Sequence, residues 1–303
     1  MAGRYTYTRE DLTGLKPGHS TFVGIDSDGC VFDTMEIKQK QCFHGLIVSH
    51  WGLEAVAKQV REAAEFVNLY SKWRGQNRFP ALVMTFDLLR ERNEVQAAGV
   101  KAPELTALRK WIASGAPLGN PGLETAVRET GDAELAAVLD WSLKINEEVK
   151  RKVKGVAPFP WARKSLERIR ENSDAICVSQ TPGEALVREW KENDLDGLVS
   201  TIAGQELGTK AEHLALATRG KYEPGRVLMI GDAMGDREAA RLNHALFFPV
   251  NPGREDASWE RFCTEAYDKF LNGQYAGAYE AGLIARFEAL LPETPPWRAG
   301  KRN

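Results

Sequence analysis

Five short apolar runs, each closed by turn chemistry, constrain this chain more than any other feature. They cover residues 21–26, 175–179, 198–203, 227–232 and 245–250. Each is too short for a helix and apolar without alternation, the mark of a strand buried on both faces. Stretches with helical spacing, such as "PGEALVREWKEN" and "KAEHLALATRG", separate the last four. That alternation predicts an α/β fold, a doubly wound parallel sheet with helices on both faces.

Between the first and second runs the period changes. From about residue 36 to 155 the apolar residues recur at helical spacing, with no strand signal. Val56, Val60, Ala64 and Val67 share one face. So do Leu105, Leu108 and Ile112, in a helix that Pro103 can start and Gly115 can stop. A third helix is expected from about Ala133 to Lys154, with Leu135, Val138, Leu139 and Val149 inward. Its pairs Glu147/Arg151 and Glu148/Lys152 are spaced i,i+4, and its basic end suits the helix dipole. Gly155, Pro158 and Pro160 then make a stiff linker. The expected organisation is a core of residues 18–34 and 158–255, an inserted helical domain of 35–157 and a C-terminal helical extension of 256–303.

Charge and cysteine usage narrow the function classes. A net charge of −2 gives no electrostatic case for nucleic acid or an anionic membrane as partner. Cys30, Cys42, Cys177 and Cys263 are scattered without metal-ligand spacing and read as buried small hydrophobes of a reducing compartment. The polar N-terminus lacks the apolar core of a signal peptide, and no run has the length of a membrane span. A cytoplasmic protein is expected; oligomeric state is not legible.

The chemistry sits at the ends of the runs. "FVGIDSDGCVFD" packs Asp26, Asp28 and Asp33 into eight positions directly after the first run. Carboxylates that converge repel by roughly 4 kcal/mol per pair at about 4 Å and an effective dielectric near 20. They are either splayed into water as a polar turn or gathered round a cation. A calcium loop fails on spacing, because Gly29 comes early, Cys30 stands where a third ligand belongs and Ile37 replaces the closing Glu. Three further polar signals lie at or just beyond the carboxyl ends of expected strands: Ser179-Gln180-Thr181, Lys210, and Gly231-Asp232 with Asp236. In open α/β sheets that is where ligands bind. Plainer readings compete: a helix cap for Ser179 and Asp236, a surface lysine for Lys210 with Lys221 as its rival, a structural turn for Asp33.

In these residues the chain resembles the haloacid dehalogenase (HAD) superfamily of phosphohydrolases. "FVGIDSDGCVFD" is similar to the family's first motif, "AICVSQT" to the second, Lys210 in "AGQELGTKAEHL" to the third and "VLMIGDAMGD" to the fourth. The resemblance covers residues 20–34 and about 158–250. It implies a Rossmann-like three-layer core with an inserted, all-helical C1-type cap, a Mg²⁺ cofactor and a small phosphorylated substrate. It implies Asp26 as nucleophile and metal ligand, and Asp28 as general acid/base whose backbone carbonyl also ligates the metal. It further implies Asp232 and, directly or through water, Asp236 as metal ligands, Ser179 as a hydrogen-bond partner of a phosphoryl oxygen, and Lys210 as the group that neutralises charge. Dehalogenating members lack the second Asp, here Asp28. Cys30 stands where the family usually has Thr.

Substrate choice is expected in the cap. The loop "YSKWRGQNRFP" interleaves Lys72, Arg74 and Arg78 with aromatic rings, and Arg forks grip carboxylate or phosphate. Arg74, Arg78 and, in the core, Thr181 are the candidate substrate-binding residues. His44 and His50 read as ordinary helix residues. A phosphomutase or a phosphonatase on the same scaffold is the alternative, the latter needing a Schiff-base lysine such as Lys38, Lys40 or Lys58. A non-catalytic binding protein is the alternative from another class.

Overall fold

The computed structural model describes residues 5–298. The chain divides into two compact units: residues up to Met35 together with Gly155–Leu291, and Glu36–Lys154 together with the chain from Pro292 on.

The first unit is built on a five-stranded, wholly parallel sheet. Its strands are β1 (Phe22–Ile25), β2 (Asp174–Val178), β3 (Thr201–Ala203), β4 (Val227–Gly231) and β5 (Leu246–Pro249), in the order β3-β2-β1-β4-β5. All five expected runs form strands. The third is shorter than expected, because Asp196–Leu198 closes a 3₁₀ turn before it. From β1 the chain builds outward through β2 and β3, then returns to lay β4 on the other side of β1. The order therefore reverses between β1 and β4, the position that opens a ligand crevice at the strands' carboxyl ends.

Strand alternation makes the layers. Val23, Ile25, Cys177, Leu228 and Ile230 face a cluster with Leu166, Ile169, Leu186 and Trp190, from α1 (Pro160–Asn172) and α2 (Gly183–Glu192). Phe22, Ile176, Val178 and Met229 face the opposite cluster, with Leu214, Ala217, Ala239 and Ala240 from α3 (Lys210–Thr218) and α4 (Met234–Leu242). Each large apolar side chain so buried stabilises by roughly 1.5–3 kcal/mol. Gly24 lets α3 approach: a Cβ there would lie 2.7 Å from Leu214 Cδ2 and 3.1 Å from Met229 Sδ.

The second unit is helical, with no strand among its described residues. Its core joins Val60 and Ala64 of helix Ala57–Asn68, Phe86 and Leu89 of Arg78–Arg90, Leu108 and Trp111 of Thr106–Ala113, and Val138, Trp141 and Ile145 of Ala133–Lys152. Asp132 caps the last of these through the Leu135 N–H at 3.0 Å. The helix expected to start at Pro103 begins at Thr106, because buried Leu105 takes a left-handed conformation (φ 52°) at its N-cap. Leu139 and Val149, expected inward, are only partly buried. The C-terminal stretch is largely helical and divides between the units. Helices Glu255–Arg261 and Ala278–Ala289 belong to the first, whereas Trp297 packs on Phe66 in the second, with Arg92 stacked over its ring at 4.6 Å.

Candidate active site

Asp26 follows β1 directly, and its N–H continues the ladder to Ile230 O at 3.0 Å. The chain then folds back on itself. Ser27 O accepts from the N–H groups of Cys30, Val31 and Phe32 at 3.3, 2.9 and 3.2 Å, and Gly29 turns at φ 77° with its N–H on Phe32 O. Two buried tryptophans hold this turn from the protein side. Trp190 Nε1 donates to Ser27 Oγ at 3.0 Å and Trp259 Nε1 to Cys30 O at 2.7 Å. Cys30 is thus part of the turn's frame, and burial pushes its thiol well above the usual range, which leaves it inert. Half-buried Asp28 accepts from Thr34 Oγ1 on one carboxylate oxygen and from Thr181 Oγ1 on the other, both at 2.5 Å. Exposed Asp33 stands outside the carboxylate cluster.

The second half of the site comes from β4. Asp232 follows Gly231, and Asp236 lies in the first turn of α4, where its Oδ2 accepts from Ala233 N at 3.0 Å. Gly231 has no room for a side chain, since a Cβ would sit 2.3 Å from Asp236 Cβ. Lys210 opens α3, fixed by a capping box in which Thr209 Oγ1 accepts from Glu212 N and Glu212 accepts from Thr209 N. Its ammonium lies 2.6 Å from Asp236 Oδ1 and 3.0 Å from Asp26 Oδ2. Lys221, the rival lysine, donates to Leu12 O and Thr13 O instead.

Oxygens of Asp26, Asp232 and Asp236, all buried, lie within 4.8 Å of one another. Burial first, then repulsion from Asp236, raises the Asp26 carboxyl, while Lys210 opposes both. Burial raises Asp236 too, against the pull of Lys210 and with Asp232 adding to the rise. Burial would lower Lys210, but Asp236 and Asp26 outweigh it and hold the ammonium charged. Three carboxylates and one ammonium leave negative charge in excess inside the protein. The donor set is hard and all oxygen, with room on the charge balance for one divalent cation, so these residues fit Mg²⁺.

Ser179 is buried at the end of β2, where its Oγ accepts from Thr181 N at 3.2 Å. The loop before α3 is tied to this one, since Gln205 N donates to Thr181 O at 3.1 Å and Gln180 Nε2 to Gly208 O at 2.9 Å. Asp26, Asp28, Ser179, Thr181, Lys210, Asp232 and Asp236 all lie at the carboxyl side of β1, β2 and β4 or on the loops there. Thr34 and the two tryptophans escaped sequence reasoning. A hydroxyl six residues beyond an acid has no periodicity to mark it, and an indole N–H on a turn is visible only once the chain is folded.

Arg74 and Arg78 belong to the helical unit. Buried Arg74 donates through Nη1 to Leu69 O at 3.0 Å. Arg78 is the first residue of its helix, and its Nη1 donates to Ser142 O, Ser142 Oγ and Asn146 Oδ1 at 3.1, 3.0 and 2.8 Å. Its guanidinium lies 5.4 Å from the Phe43 ring centre, and burial lowers its pKa to about 10.

No protein-family model matches the chain, and no curated protein matches it at a significant level. Solved structures do. A haloacid dehalogenase-like family hydrolase from Streptococcus pneumoniae is 17% identical, covering 88% of this chain and 98% of its own, with a TM-score of 0.43. A haloacid dehalogenase-like family hydrolase from Xanthomonas campestris is 9% identical over 85% of this chain and 94% of its own, at 0.42. A protein from Haemophilus somnus described as a predicted phosphoglycolate phosphatase is 14% identical over 76% of this chain and 84% of its own, at 0.45. At these identities and TM-scores, activity has to be argued from the site itself.

Proposed function

We propose that the chain is a Mg²⁺-dependent phosphohydrolase of the HAD type, cleaving a small phosphorylated metabolite through an aspartyl-phosphate. One observation carries the reading: Lys210 bridges Asp26 and Asp236 within a buried trio of carboxylates at the point where the strand order reverses. Phosphate-monoester hydrolysis is among the slowest uncatalysed reactions, and a carboxylate nucleophile divides it into two displacements. Mg²⁺ would be held by Asp26, Asp232 and Asp236 with the Asp28 carbonyl, and would supply the positive charge that lets a dianionic phosphate approach them. Asp26 attacks phosphorus while Asp28 gives its proton to the leaving oxygen. Asp28 then takes a proton from the water that releases phosphate. Lys210 neutralises Asp26 and the phosphoryl oxygens, and Ser179 offers a hydroxyl donor on the other side, while the Thr181 hydroxyl donates to Asp28. The four cysteines are unpaired and buried, which supports a cytoplasmic setting.

Substrate choice is assigned to the helical unit. Among the described residues no carboxylate pairs with Arg78, its acceptors are neutral, and its place at a helix N-terminus adds positive charge to positive. All its hydrogen bonds run through Nη1, so Nε and Nη2 keep donors for a second acidic group on the substrate.

The test is phosphate release from a panel of phosphorylated metabolites, with Mg²⁺ and with EDTA, for the wild type and Asp26→Asn. Metal-dependent turnover that disappears in the variant is expected. Folded, Mg²⁺-loaded protein that releases no phosphate from any member of the panel would overturn the reading.

A further inference from the structure

The N-terminal residues precede the resemblance to the HAD motifs, yet they reach the loops that carry Thr181 and Lys210. Tyr5 lies against α2 and β3. Its hydroxyl accepts from Gly204 N at 3.0 Å and donates to Ile202 O at 2.9 Å, so it bridges the end of β3 to the loop that leads to Lys210. Its ring occupies the space over Gly183, the first residue of α2, where a Cβ would lie 2.3 Å from Tyr5 Cε2. Four residues on, Arg9 Nη1 donates to Leu207 O at 2.6 Å, and its Nη2 lies 3.6 Å from Glu212, the partner of Thr209 in the capping box that sets Lys210. Glu206, in the same loop, accepts from Gly183 N at 3.0 Å. With Gln205 on Thr181 and Gln180 on Gly208, the two loops form one hydrogen-bonded body.

The arm holds that body from outside, through contacts of Tyr5 and Arg9 with residues between Gly183 and Glu212. Fixing a long chain end costs conformational entropy, which the packing of fully buried Leu12 in the sheet's second cluster offsets. Lys221 secures the same segment through Leu12 O and Thr13 O.

We propose that the N-terminal arm braces the phosphoryl-binding side of the site, with Tyr5 as a positioning residue that fixes the Thr181 and Lys210 loops together. The proposal rests on the phosphohydrolase reading for its kinetic consequences only. Asp26 and Asp232 hang on β1 and β4, outside the braced loops, so the arm reaches the metal carboxylates only through the ammonium of Lys210 and bears more directly on phosphate.

Tyr5→Phe and Tyr5→Ala in the full chain test it through kcat, inhibition by inorganic phosphate and affinity for Mg²⁺. Loss of one bridging hydroxyl should lower kcat about fivefold and weaken phosphate inhibition similarly, and Tyr5→Ala should do so by tenfold or more. Mg²⁺ affinity should stay within about twofold. Turnover and phosphate inhibition unchanged in both variants would overturn the proposal. So would phosphate and Mg²⁺ affinities falling together with thermal stability, the sign of a general loosening. If the wild type releases no phosphate, the phosphohydrolase reading fails separately, and amide hydrogen exchange decides for the arm. Gly183, Gly204 and Gln205 should then exchange about tenfold faster in Tyr5→Phe while Asp26 keeps its rate; equal exchange would overturn the brace.

Discussion

Lys210 and Arg78 are both cations withdrawn from water, and the chain treats them in opposite ways. Lys210 sits between Asp26 and Asp236, so its ammonium is held charged despite burial. Arg78 meets a carbonyl, a hydroxyl and an amide oxygen over the face of Phe43, and burial alone moves its pKa, down to about 10. A buried charge is costly unless something of opposite sign is near. The first cation is completed by the protein's own acids and therefore organises them. The second meets no acid among the described residues, which supports the proposal that an acidic group of the substrate completes it.

Removing Lys210 should have the largest effect. In Lys210→Met, with EDTA present, Asp26 and Asp236 lose the ammonium that bridges them. Stability should fall by about 3–5 kcal/mol, the cost of breaking a buried ion pair from one side. Mg²⁺ should restore part of that loss, and kcat should remain about 10²–10³-fold below wild type. Urea unfolding with and without Mg²⁺ checks the first two. A variant as stable as wild type in EDTA would mean that the carboxylates do not depend on Lys210, and the contrast with Arg78 would collapse.

The two neighbourhoods also differ in how far sequence reveals them. The acids round Lys210 follow apolar runs with a recognisable beat, and a strand's end is fixed by its length and by Gly or Asp chemistry. Asp26, Asp28, Asp232 and Asp236 could be named as strand-end acids for that reason, whereas their roles, and Lys210 over Lys221, came from the resemblance to the HAD motifs. Their geometry could not: Thr34 meets Asp28 because the turn at Gly29 doubles the chain back. Trp259 meets Cys30 from 229 residues away. In the helical unit, 3.6-residue spacing revealed that Val60, Ala64, Leu108 and Val138 face inward, but not which helix faces which. Arg78 could be seen as a candidate fork, whereas its partners Ser142 and Asn146 belong to a helix more than sixty residues on. Leu105 shows the same limit locally, since no propensity marks a leucine for a left-handed conformation.

Acid should weaken both neighbourhoods through their histidines. His213 lies on the helix that Lys210 opens, and His44 follows Phe43, the ring under Arg78; both are essentially unexposed. Burial lowers each from 6.5 to about 4. The folded pKa lies below the unfolded one, so as the pH falls the unfolded chain takes up protons first. Stability from this source is complete above about pH 6.5 and is lost towards pH 4. Each ring should cost about 2 kcal/mol between pH 7 and pH 5. Urea unfolding at the two pH values, in wild type, His44→Phe and His213→Phe, should show the drop halved in each variant. A drop untouched by either substitution would place the pH dependence elsewhere and remove the evidence that burial keeps both rings neutral.

The smallest effect, and the sharpest division of the two cations, should come from Arg78→Gln. Glutamine keeps donors for Ser142 and Asn146 but carries no charge, so if Arg78 only clamps helix Ala133–Lys152, little should change beyond stability. If the guanidinium completes its charge with the substrate, the loss should depend on that substrate. For phosphomonoesters with a second carboxylate or phosphate, KM should rise about tenfold with kcat nearly unchanged, the signature of lost uniform binding. For simple alkyl phosphates neither constant should move. Stability should stay within about 1 kcal/mol of wild type, because the substitution also removes an uncompensated charge from the interior. An equal loss on both substrate classes would show that Arg78 supports the fold alone, and the idea that its charge awaits an outside anion would fall, whatever Lys210 does.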